Sequence, residues 1–111
     1  MSAKIEKLYH ESFQTTKQIP FELRLHQRSI DYIVLEHWHR SVEIDYLIQC
    51  EADFRIEGEK RHIEKDELVL INSSQVHALW PEKVHYTGDE SVLAPSLFIS
   101  YDFLKELYPD F

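Results

Sequence analysis

The sequence predicts a mostly β domain, an antiparallel sandwich or barrel with one short helix at its C-terminal end. Three observations predict it. From Phe21 onward the chain breaks into short alternating or β-branched runs, and turn-forming residues fall between those runs. Only the end of the chain switches to helical spacing. Of the 111 residues, 43% are hydrophobic and 13% aromatic, which supplies one domain with a core and argues against a disordered chain.

Residues 1 to about 20 read as an N-terminal arm ending at Pro20. Ile5, Leu8, Tyr9 and Phe13 have helical spacing, and a strand suits the same stretch equally well. Residues 21–111 then form the domain proper. Candidate strands are Phe21–Leu25, Tyr32–His39, Val42–Gln49, Asp53–Glu57, Lys60–Ile63, Glu67–Ile71, Val76–Trp80 and Val92–Ser100. Glu57-Gly58 predicts a tight hairpin, with Gly58 at a positive φ. Lys65-Asp66 and Asn72-Ser73-Ser74 predict turns, because these side chains bond the local backbone. Asp102 is expected to cap a helix over Phe103–Tyr108, which Pro109 ends. Phe103, Leu104, Leu107 and Tyr108 share one face of that helix, an apolar stripe that needs a partner.

Charge narrows the function classes. Acidic residues outnumber basic ones 20 to 12, for a formal net charge of −8. A surface this negative repels phosphate, and the lysines and arginines form no stripe, so the chain is not expected to grip nucleic acid itself. The single cysteine, Cys50, precludes an internal disulfide and suits a reducing compartment. The first residues mix charges and lack the apolar run of a signal peptide. The longest apolar stretch, Leu68–Ile71, is too short to span a bilayer. The expectation is a cytoplasmic protein with no membrane partner.

One constellation carries chemistry. On a strand, residues two apart point to the same side, so His37 and His39 aim together while Trp38 points away. Glu43 begins the next strand after the Arg40-Ser41 turn, which folds its carboxylate back toward the two imidazoles. His77, on the later strand Val76–Trp80, is the fourth candidate. Three imidazoles and a carboxylate are suitable ligands for a divalent transition metal such as Zn, Ni, Mn or Fe. The competing expectation is a metal-free pocket lined by the same polar groups. Asp45 and Gln49 share the Glu43 face, which makes that wall polar, as an effector pocket requires. The candidate ligand-binding residues are therefore His37, His39, Glu43, Asp45 and His77.

With these residues in place, the chain resembles the cupin-type effector-binding domain of AraC-family transcription regulators. His37-x-His39-x3-Glu43, followed by six residues to Cys50, resembles the first cupin motif, with Asp31 and Cys50 at its glycines. Asp66 to His77 resembles the second, with Asp66, Asn72 and Ser74 where Gly, Pro and Gly usually stand. Such loose motifs are typical of the AraC-type sensor branch rather than of cupin enzymes. The resemblance covers residues 21–111. It implies a cupin-like double-stranded β-helix, or jelly-roll barrel, that binds a small-molecule effector and forms a homodimer. It further implies no enzymatic activity, and DNA contact only through a C-terminal helix-turn-helix domain absent here. A metal-dependent cupin enzyme, a dioxygenase or isomerase, is the alternative.

The remaining candidates have ordinary readings. His10, His26, His62 and His85 read as surface or internally satisfied histidines. Trp38 and Trp80 read as packing residues, and Cys50 as an inert small residue at a turn. Ile44, Tyr46 and Ile48 form an apolar face opposite Glu43. It is expected to pack against the neighbouring sheet, with a dimer contact as the alternative.

Overall fold

The alternation of small inward and polar outward residues after Gln49 produces the most regular part of the molecule. In the computed structural model, which describes residues 9–10, 15–16, 18–27, 33–84 and 92–111, strand β5 (Cys50–Ile56) turns back through Glu57-Gly58 into β6 (Glu59–Ile63). Glu57 and Gly58 have φ of 51° and 81°, the paired positive values of a two-residue hairpin. Cys50, Ala52 and Phe54 point inward and are buried, while Glu51, Asp53 and Arg55 face out.

The other strands are β1 (Tyr9–His10), β2 (Phe21–Gln27), β3 (Val34–Trp38), β4 (Val42–Tyr46), β7 (Leu68–Ile71), β8 (His77–Val84) and β9 (Val92–Ile99), and helix α1 spans Tyr101–Leu107. They form two sheets, ordered β1-β3-β8-β5-β6 and β2-β9-β4-β7. All pairs are antiparallel except β1 with β3. The expected mostly β, jelly-roll-type architecture with a short C-terminal helix is therefore what the chain adopts. Leu47, Cys50, Ala52, Phe54, Val69 and Ile71 form the apolar core between the sheets, with Ile56, Ile63, Leu79 and Ala94 packed against it.

Several expectations are corrected. The strand expected over Val42–Gln49 ends at Tyr46, and the chain turns through residues 47–49. The strand expected to begin at Asp53 begins at Cys50 instead. The strand expected to stop at Trp80 continues past Pro81 to Val84, because Pro81 sits beside a register shift. Ala52 pairs with Pro81 and Glu51 with Lys83, so the extra residue forms a bulge where a missing N–H is tolerated. Helix α1 is capped by Ser100, whose side chain accepts from the Phe103 N–H at 3.3 Å. Asp102 lies instead in the first turn, where its charge favours the helix dipole. The expected apolar stripe of this helix is divided: Phe103 and Leu104 are half-buried, while Leu107 and Tyr108 are exposed. Ile44 and Tyr46 do not pack against the other sheet; they face outward, and Tyr46 is exposed. Ile48 lies in the turn after β4.

Of the arm, Tyr9 and His10 form the parallel pair with His37 and Trp38. Ile5, Leu8, Phe13, Asp31, Tyr32 and His85 lie outside the described residues. No helix among the described residues is long and apolar enough to cross a membrane.

Candidate functional site

The side chains that matter come from both sheets. His37 is on β3 and His39 directly follows it, His77 opens β8, and Glu43 is on β4 of the opposite sheet. The β3–β8 register sets His37 across from His77. Their ring centroids lie 4.2 Å apart, and His39 to His77 is 4.9 Å. All four residues are buried. The structure thus brings together the four side chains that the sequence nominated, although 34 positions separate Glu43 from His77.

The turn before β8 is stitched in place on both sides. The Ser74 N–H donates to the His39 carbonyl at 2.8 Å. The Val76 N–H donates to a Glu57 carboxylate oxygen at 2.6 Å, and the Glu57 N–H donates to the Val76 carbonyl at 2.8 Å. His77 therefore enters the barrel from a backbone held by both the His39 segment and the β5–β6 hairpin.

Ring orientation follows from local hydrogen bonds. The Nδ1 atoms of His37, His39 and His77 lie 2.8, 3.0 and 2.9 Å from the carbonyl oxygens of Leu35, Ser41 and Gln75. A carbonyl only accepts, so each Nδ1 carries a proton and each Nε2 is the nitrogen left to face the other site groups. Yet the Nε2 atoms of His39 and His77 stand 2.9 and 3.2 Å from the same oxygen, Oε1 of Glu43. Two lone-pair carriers at that distance repel unless a proton or a metal ion lies between them. A metal ion in that space would meet imidazole nitrogens and a carboxylate oxygen, donor types that suit a divalent transition metal. The ligating atoms of the three histidines lie within 4.8 Å of one another. Imidazoles bound at about 2.0–2.1 Å to one zinc ion stand closer than that, so the rings must draw inward on binding. Carbonyl bonds to the distal nitrogen are the usual outer support of such ligands.

Electrostatics within the site are uneven. Burial would raise the Glu43 carboxyl, but with protons on Nε2 of His39 and His77 their hydrogen bonds to it outweigh burial and hold Glu43 well below the usual carboxylate range. Asp45 goes the other way: burial first, and then the Glu43 charge, raise it well above that range. Of the two, Glu43 is therefore held toward its charged form and Asp45 toward its neutral form. Asp45 is buried and its Oδ1 has no hydrogen-bond partner, an acceptor without a donor inside a barrel.

Other residues of this wall were not singled out by the sequence reading. The register sets Arg24, Ser96, Asp45 and Val69 in one row across β2, β9, β4 and β7. Glu22, Phe98, Glu43 and Ile71 form the next row. Ser96 is buried, and Arg24 lies 5.4 Å over the Phe98 ring while bonding Glu22 at 2.6 Å. The signal was present in the alternation of β2, but charged residues on a strand ordinarily face water, and here they face inward. Gln49 is buried, yet it comes from the turn after β4 rather than from the strand. His62, as expected, lies on the surface, between Asp53 and Glu51 at 2.8 and 3.0 Å. Trp80 packs under Arg55, whose guanidinium lies 5.3 Å from its ring. Cys50 is buried, and burial pushes its thiol up to about 11, as suits an inert thiol.

Beside the site, Arg40 connects outward. Its guanidinium bonds Asp102 at 2.8 Å and lies 4.8 Å over the Tyr101 ring. These two residues open α1. Arg40, Asn72, Ser73, Ser74, Tyr101 and Phe111 line a surface cleft of about 490 Å³.

A two-sheet β barrel with an interior cluster of three histidines and one carboxylate defines a cupin-type ligand-binding domain. Comparison of the sequence with family models matches residues 20–88 to the AraC-like ligand binding domain. The chain belongs to that family. Among solved structures it is similar to KdgF from Halomonas sp., with a TM-score of 0.51 and 14% identity over 85% of this chain and 91% of that one. It is also similar to an RmlC-like cupin from Shewanella frigidimarina NCIMB 400, with a TM-score of 0.49 and 12% identity, covering 60% of this chain and 54% of that one. A cupin protein from Bacteroides fragilis shows a TM-score of 0.45 and 12% identity, covering 72% of this chain and 62% of that one. The chain thus spans little more than half the length of the latter two proteins. No curated protein sequence matches the chain.

Proposed function

We propose that this domain senses a small polar molecule, a sugar or another polar metabolite, on behalf of an AraC-type transcription regulator that acts as a homodimer in the cytoplasm. DNA contact would belong to a separate helix-turn-helix domain. The observation that carries the reading is the buried polar wall of a chain in this family: His37, His39, Glu43 and His77 converge, and Asp45 offers an acceptor with no donor. A buried polar atom without a partner is costly, and a ligand hydroxyl at that point would satisfy it. A divalent metal held by His37, His39, Glu43 and His77 would anchor such a ligand, since a metal with open positions polarises oxygen donors.

Two connections suit the site to signalling. Strand β1 of the arm pairs with β3 at His37 itself. Arg40, between His39 and Ser41, reaches the first turn of α1. An effector that favours one arrangement of His37 or His39 shifts the population of arm and helix positions with it. The arm and α1 are therefore the outputs of this reading.

The test is calorimetry with Zn, Ni, Mn and Fe(II), then with effectors found by thermal-shift screening of sugars and polar metabolites. His37→Ala and His77→Ala should each weaken binding at least tenfold; unchanged affinity in both would remove the pocket assignment. A second reading, a metal-dependent enzyme of the dioxygenase or isomerase type, draws support from the same His-and-carboxylate cluster. Stoichiometric iron or manganese accompanied by turnover would favour it over the sensor.

A further inference from the structure

The outward face of the β2-β9-β4-β7 sheet carries no charge at any described position. Leu23, Leu97, Ile44 and Leu70 form one continuous row across all four strands. Phe21, Ile99 and Val42 form the next, with Leu25 beside Pro95 and Tyr46 beside Leu68 on the other flank. An antiparallel sheet ordinarily buries one face and shows water a polar one. The other sheet obeys, presenting Glu51, Asp53, Arg55, Lys60 and His62 outward. This sheet inverts the rule: Glu22, Arg24, Glu43 and Asp45 face the barrel interior and leucines face out.

The exposed area has the size of an interface. Phe21, Leu23, Leu25, Tyr46, Leu68 and Leu70 are 36–65% exposed. With side chains of about 200 Å² each, they leave on the order of 650 Å² of apolar surface, near the ~800 Å² per partner of a standard interface. Patches of this size on soluble proteins mark association sites.

We propose that this face is the homodimer interface, two β2-β9-β4-β7 sheets packed face to face. Charge selects a second copy as the occupant. Two chains of net charge −8 repel through most of their surfaces, but back-to-back packing meets on the uncharged face and sends both charged sheets to the far sides. Their separation then exceeds the Debye length of about 8 Å at physiological salt. Strand faces with interdigitating branched side chains are the usual stuff of sheet-on-sheet packing. Phe103 of α1 stands edge-on to Phe21, with centroids 5.7 Å apart, so the helix borders one end of the interface and would sense its closure. This inference deepens the homodimer reading above and does not depend on what the barrel binds.

Sedimentation equilibrium on the whole 111-residue chain tests it. A dimer is expected at tens of micromolar, undiminished when salt rises from 50 to 500 mM. Leu23→Asp and Leu70→Asp, both on exposed positions, should each weaken dimerisation at least tenfold, with the circular dichroism spectrum unchanged. Glu51→Lys on the other sheet should leave the dimer intact. A wild-type monomer at 100 µM overturns the proposal and gives the face to another occupant, such as an apolar helix of a different protein. A dimer broken by Glu51→Lys but not by Leu23→Asp or Leu70→Asp overturns it equally.

Discussion

At the scale of single residues, the barrel interior and the outer sheet place histidine in opposite settings. The three interior imidazoles are buried, each with Nδ1 against a backbone carbonyl, and His39 and His77 turn Nε2 to Glu43. His62, on the surface, has both nitrogens bonded to carboxylates, Asp53 and Glu51, and those bonds raise it above its ordinary value of 6.5. Asp53 is lowered correspondingly, chiefly by its bond from His62. The sign follows from linkage. A raised histidine favours the folded state fully below about pH 6.5 and loses that contribution as pH climbs through the raised value. The lowered Asp53 contributes above its ordinary range and loses its share as pH falls through the depressed value. The pair is therefore most favourable in mildly acidic solution, and its effect on stability is small because His62 is exposed. In an NMR titration, His62 should titrate above 6.5, and Asp53→Asn should return it toward that figure. A titration that Asp53→Asn leaves unmoved would remove the assignment.

Elements show how tightly local chemistry sets the frame of the site. Asp66 and Ser74, which stand at glycines of the motif this chain resembles, have positive φ of 72° and 65°. Both turns adopt the left-handed shape without the residue that takes it most easily. Ser74→Gly relieves a left-handed conformation that costs L-residues about 1–2 kcal/mol, less part of that for glycine's added freedom when unfolded. Urea denaturation should show the variant more stable by about 0.5–1 kcal/mol. Gly58→Ala runs the other way. An added Cβ meets nothing within 4 Å, so only the φ of 81° opposes it, and the loss should be about 1 kcal/mol. If both variants matched the parent, backbone strain would not be acting at either turn. The same turns explain what was legible. Glu57-Gly58, Asp66 and Asn72-Ser73-Ser74 are visible in the sequence because turn chemistry is local. Strand ends were less so: the Pro81 bulge depends on the opposite strand, and no local pattern announces it. Ser100 took the cap from Asp102 because the strand before it ends at Ile99.

At the scale of the whole molecule, the candidate site was legible because strand periodicity sets His37 with His39 and the two motifs carry Glu43 and His77. The orientation of β2 was not, since nothing in Phe21-Glu22-Leu23-Arg24-Leu25 says which side faces the core. That inversion gives the barrel a polar centre, and it has a thermodynamic consequence. His37 and His77 belong to one sheet and Glu43 to the other, so a metal bound by all of them ties the two layers together. Such a ligand binds only the folded chain, because the unfolded one separates Glu43 from His77 by 34 positions. Its contribution to stability is then RT ln(1 + [L]/Kd), about 2.7 kcal/mol at a hundredfold excess over Kd. For a domain of this size, 1 kcal/mol moves Tm by about 4–8 °C, so saturating metal should raise Tm by about 10–20 °C. Differential scanning calorimetry with the metal that calorimetry selects, and again after chelation, measures it directly. His77→Ala should abolish most of the rise. Glu43→Gln should reduce it, because the neutral amide no longer offsets the charge of the cation. A rise that survives both substitutions would mean that the ion binds elsewhere on this acidic surface and that the sheets are not joined through the barrel.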